Sequence, residues 1–127
     1  DDDRVCFHQT NPANGALGAA SNVSLSGDVI SASAGDIDGD GYADILSIHD
    51  GGIVSLRKYN DKNSNFDDNA TLTVFGNGTT TPTQLTTIYG GYFNGLQGNF
   101  SVLVADNTGH TSHVKWVNGA LALGVHT

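Results

Sequence analysis

The sequence predicts an all-β protein, and three observations carry that prediction. All thirteen acidic residues of the 127-residue chain are Asp, and none is Glu. Asp competes for backbone hydrogen bonds and favours turns, whereas Glu is a good helix former. Seventeen Gly, with many Thr, Ser, Asn and Val, supply turns and strand formers. No segment sustains apolar residues at helical spacing; short β-type runs between turn clusters take its place.

Strands are expected near 4–9, 21–26, 28–34, 44–49, 53–59, 70–76, 84–89, 100–106, 112–118 and 120–126. The first, "RVCFHQ", is apolar at Val5, Cys6 and Phe7. The fourth opens with "DILSI" directly after an aspartate-rich turn. In "HVKWV", alternation puts Val114 and Trp116 on one side and His113 and Lys115 on the other. In the last, "ALALGVH", Leu121, Leu123 and Val125 share a face. Two polar segments, "YNDKNSNFDDN" and "GNGTTTPTQ", read as loops.

A mass of 13.2 kDa suits one domain or a few small repeats. The net charge of -8 and only five Lys and Arg argue against nucleic acid, whose phosphates need basic side chains. No apolar run approaches the roughly 20 residues of a membrane span. The chain has no Met, so Asp1 is expected to follow a cleavage, such as removal of a signal peptide, which points to an extracellular or cell-surface setting. The single cysteine, Cys6, cannot form an internal disulfide; it is either a buried thiol or a bond to another chain. Four acceptor sequons, at Asn22, Asn69, Asn77 and Asn99, allow N-glycosylation.

An internal repeat is visible at a spacing of about 57 residues. Gly35, Ile37, Asp38 and Gly39 fall on Gly91, Phe93, Asn94 and Gly95, and Ile45-Leu46 then falls on Val102-Leu103. The second copy has lost the aspartates; Tyr92 and Leu96 replace them. A repeat unit that cannot bury its own face must stack on neighbours.

The most informative stretch is "GDIDGDGYADIL", residues 35–46. Asp36, Asp38, Asp40 and Asp44 fall at loop positions one, three, five and nine, with Gly41 at six to permit a sharp turn. The carbonyl of Tyr42, at seven, is a further candidate ligand. Four acids so spaced repel one another unless a cation gathers them. A flexible, all-oxygen cage suits calcium better than magnesium, and the loop offers no nitrogen or sulfur to a transition metal. The first nine positions are those of an EF-hand loop, but Ser47 stands at the twelfth and a strand follows.

Residues 34–60 resemble the calcium loop of FG-GAP repeats, the blade motif of integrin α-chain propellers and of related VCBS-type bacterial repeats. Asp36, Asp38, Asp40, Gly41 and Asp44 match the form D-x-D-x-D-G-x-x-D, and Ile45-Leu46 begin the strand after it. The resemblance implies β-propeller-type blades, about two in number, completed by other subunits or by a longer chain, because the smallest propeller has four blades. A calcium-loop β-sandwich is the alternative. The expected division is 1–30, strands completing a neighbouring blade or subunit contact; 31–85, a calcium-binding blade; and 86–127, a degenerate blade without metal ligands.

No nucleophile motif is present, and the obvious aspartates are committed to metal. The pair His110 and His113 diverges on a strand and lacks a third ligand. The expected function is therefore non-catalytic: a calcium-stabilised structural or adhesive protein, a homo-oligomer or a subunit of an extracellular assembly. A carbohydrate-binding module is the alternative, with Tyr89, Tyr92, Phe93 and Trp116 as stacking rings. A non-catalytic part of a secreted polysaccharide-processing enzyme is another.

Overall fold

The computed structural model of the chain describes residues 4–10, 13–25, 28–76, 79–92 and 100–126. These form ten strands and no helix: β1 (Arg4–Thr10), β2 (Leu17–Ser24), β3 (Ser31–Gly35), β4 (Asp44–His49), β5 (Ile53–Asn60), β6 (Asn65–Thr73), β7 (Leu85–Gly91), β8 (Ser101–Asp106), β9 (Thr111–Val117) and β10 (Ala120–His126). The strands make three antiparallel sheets, none of them closed. β1 and β2 form a hairpin, β3 to β6 a four-stranded meander, and β7 to β10 a second meander of the same order.

Local chemistry explains the turns. Asn118 and Gly119 join β9 to β10 with φ of 51° and 82°, the two left-handed positions of a tight hairpin turn. β4 and β5 are joined through Asp50, Gly51 and Gly52. The polar segment expected as a loop at 59–69 is instead the end of β5, a turn at 61–64 and the first half of β6. Among the described strands β6 pairs only with β5, and in its first half Asn65 and Asn69 are exposed while Phe66 is buried. β2 likewise begins earlier than expected, at Leu17, whose side chain is exposed.

Burial follows alternation. Every residue of β4 is buried, because the middle sheet is covered on both faces. Ile45 faces the hairpin and packs with Val23, Leu25, Tyr59 and Phe66. Leu46 and Ile48 face the third sheet and join Val54, Leu56, Val102, Val104 and Val114 in the main core. The inner strands β3 and β7 lie against each other, and so do the outer strands β6 and β10. Phe100 wedges between the sheets: a Cβ built at Gly90 would fall 2.4 Å from its ring. Trp116 packs on the main core as the alternation requires.

Candidate metal centre

The acidic loop joins β3 to β4 at one end of the middle sheet. Its shape comes from its own carboxylates. Asp36 accepts hydrogen bonds from the backbone N–H groups of Gly39 (2.8 Å), Asp40 (3.1 Å) and Gly41 (2.8 Å). Asp40 accepts one from Tyr42 (2.9 Å) and Asp38 one from Asp40 (3.2 Å). Gly39 and Gly41 have φ of 81° and 92°, which side-chain-bearing residues rarely adopt. Asp44, the first residue of β4, is fully buried. Its two oxygens accept the N–H groups of Ile37 (3.1 Å) and Tyr59 (3.0 Å), tying the loop to β5.

These turns draw the four side chains together. One oxygen from each of Asp36, Asp38, Asp40 and Asp44 lies within 4.8 Å of the other three. Oxygens that share one calcium at about 2.3–2.6 Å can stand no more than about 5 Å apart, so the spacing fits that ion. Asp36 Oδ1 accepts two N–H groups, whereas Asp36 Oδ2 and each Asp44 oxygen accept one and keep a second lone pair. Tyr42 lies at the expected loop position, its ring 5.2 Å from that of Tyr59.

The charges show the crowding. Burial pushes the Asp44 carboxyl up to about 6 against the pull of its two N–H donors, and the nearby Asp38 and Asp40 raise it further. Asp40 is raised by burial and by its acidic neighbours. Burial also acts upward on Asp38, but hydrogen bonding and attraction from Lys58 leave it below its usual value. The Lys58 ammonium lies 2.6 Å from Asp38 and 5.1 Å from the centre of the Trp116 ring. Sequence reasoning passed over Lys58. The signal was its place two residues after Leu56, on the apolar face of β5, where a cation needs a partner.

Among the described residues, the others singled out from the sequence do not converge here. Asn22 and Asn69 are exposed on β2 and β6, while Asn77 and Asn99 lie outside the described residues. Cys6 is an exposed free thiol, which corrects the expectation of burial: on β1 the side chains of Val5 and Phe7 turn to the sheet and that of Cys6 turns away. Tyr89 and Tyr92 are 64% and 59% exposed, and Phe93 lies outside the described residues. Ile88 belongs to the core, so its neighbour Tyr89 is on the outer face of the third sheet, whereas Trp116 is on the inner one. Tyr89 and Trp116 thus lie on opposite faces of the third sheet. The degenerate turn at 93–99, with Asn94 and Leu96, is outside the described residues. His110 engages Thr108 (2.8 Å) and His113 engages Ser101 (2.6 Å), so the two imidazoles serve separate contacts. Buried Ser47 and His49 pair at 2.8 Å on the hairpin side of β4.

No family model, no curated protein and no solved structure matches the chain. No helix among the described residues is long and apolar enough to cross a membrane.

Proposed function

We propose that this chain is a non-catalytic, calcium-stabilised β-repeat unit with a structural or adhesive role in an extracellular or cell-surface assembly. The observation that carries the proposal is the convergence of four carboxylate oxygens within 4.8 Å on a loop between two strands. Asp36, Asp38, Asp40 and Asp44 would hold the ion, with the Tyr42 carbonyl as a further ligand. The ion would act architecturally, relieving repulsion in a loop that anchors β3, β4 and β5 together. The likeness of residues 34–60 to FG-GAP calcium loops supports this reading, as does the pair of four-stranded meanders, which have the form of propeller blades.

Differential scanning calorimetry of the full chain in calcium and in chelator tests it. Calcium at about one hundred times its dissociation constant should stabilise the fold by about 2.7 kcal/mol, on the order of 10 °C in melting temperature. Asp38→Ala should remove most of that gain. Equal melting temperatures in the two conditions would refute the proposal.

A further inference from the structure

We propose that Asn14 is a self-modifying site: the Gly15 backbone nitrogen attacks its side-chain amide, ammonia leaves, and a carboxylate remains in the loop between β1 and β2. The site lies apart from the acidic loop and does not depend on the metal reading.

The sequence holds four Asn-Gly pairs, at 14–15, 77–78, 94–95 and 118–119. Such a pair carries its own nucleophile and electrophile. The glycine nitrogen reaches the asparagine Cγ through a five-membered ring, and glycine has no side chain to crowd that ring. The pairs at 77 and 94 lie outside the described residues, and the structure separates the other two.

Asn14 and Asn118 are both exposed, so access of water and hydroxide does not distinguish them. Backbone shape does. The ring contains the Asn Cα–C bond, so closing it needs Cβ and the next nitrogen on the same side of that bond. Asn118, at φ 51° in the tight turn between paired Val117 and Ala120, is left-handed. There ψ is about +47°, and Cβ points almost opposite the Gly119 nitrogen. Attack would require the turn to open. In the other pair the left-handed residue is the glycine, Gly15, at φ 71°. A Cβ built there meets nothing within 4 Å, so the space around a closing ring is clear.

The loop also activates the electrophile. The Ala16 N–H donates to Asn14 Oδ1 at 2.9 Å. Attack at Cγ drives negative charge onto that oxygen, and an N–H already aimed at it stabilises the charge. Leu17 pairs with Thr10 and so anchors the chain just beyond Ala16. In the reaction, hydroxide takes the Gly15 amide proton and the nitrogen bonds to Cγ. The bond from Cγ to the side-chain nitrogen breaks and ammonia leaves. Water then opens the imide at either carbonyl. One opening gives aspartate at position 14; the other gives isoaspartate, which lengthens the backbone by one methylene.

Ageing the full chain in mildly alkaline heavy-oxygen water, followed by peptide mapping with mass spectrometry, tests the proposal. Position 14 should take up one heavy oxygen at a rate no lower than in an isolated peptide of residues 9–20. Position 118 should react about tenfold or more slowly than in its own isolated peptide, because the turn must open first. Asn14→Gln, whose longer side chain needs a six-membered ring, should abolish the reaction there. Ala16→Pro, which removes the donor, should slow position 14 about fivefold with an unchanged melting temperature, the rate equivalent of one exposed hydrogen bond. Reaction at 118 ahead of 14, a rate at 14 well below that of the peptide, or a folded Ala16→Pro chain that reacts as fast as the parent would overturn the proposal. The comparison of chain with peptide needs no variant, so it decides the matter even where Ala16→Pro does not fold.

Discussion

Asp44 ties the acidic loop to β5 while shut off from water. A carboxyl whose folded pKa exceeds its unfolded one stabilises the fold below the unfolded value and loses that contribution as the pH rises through the folded value. For Asp44 the window runs from about 4 to about 6. Calcium must displace this proton, so its affinity should fall below pH 6, by up to about tenfold per pH unit from this group. Carbon-13 NMR of the Asp44 carboxyl in chelator should show a midpoint near 6; a midpoint near the ordinary aspartate value would contradict the burial argument. Lys58 makes a second prediction. It neutralises Asp38 from within, so Lys58→Met should destabilise the metal-free chain by about 1–2 kcal/mol and tighten calcium binding severalfold. Calorimetric titration of both proteins checks both signs. The four aspartates were legible in the sequence because their spacing is local. Lys58 was not, because its pairing depends on a strand that returns fourteen residues beyond the start of β4.

The strands were legible where burial demands a pattern. β5, β8 and β9 pack on neighbours and carry the alternation that reveals them, while β4, buried throughout, is marked by its apolar Ile45, Leu46 and Ile48. The starts of β2 and β6 carry no such demand, and their polar or small residues gave no signal. Close packing between elements was hidden as well. Nothing local marks Gly90 as the place where β7 meets β3, yet an added methyl would come within 2.4 Å of both the Phe100 ring and the Ser33 hydroxyl. Gly90→Ala should therefore cost about 1–3 kcal/mol through overpacking. Combining it with Phe100→Leu should cost less than the two changes summed, since the smaller side chain makes room. Urea unfolding of the three variants measures this; simple additivity would show that the ring and the glycine do not meet.

Across the whole molecule, the sheets are joined by a segment from Val74 to Gln84 that passes from the outer edge of one to the inner edge of the next. Buried Asp106 fastens its far end. It accepts the Thr83 hydroxyl at 2.7 Å and, from its own turn, the Thr108 hydroxyl and the N–H groups of Thr108 and His110. Burial alone would raise this carboxyl, but those donors hold it well below the ordinary range. A depressed carboxyl contributes stability above its unfolded pKa and loses it as the pH falls. Asp106→Ala should thus cost about 2 kcal/mol at pH 7, with a gap from the parent chain that narrows below about pH 4. Thermal melts at several pH values read this directly. The arrangement of three sheets was less legible than the strands themselves, because it is set by contacts such as those of β3 with β7 and β6 with β10, between residues far apart in the chain.

Trp116 is the chain's one tryptophan, and it has the Lys58 ammonium above it. A positive charge over an indole shifts the energy of its excited state, so the colour of the light this protein emits should depend on where that ammonium rests. Because the same ammonium is bound to Asp38, a change at the acidic loop should be visible as a change in emission wavelength, without any dye.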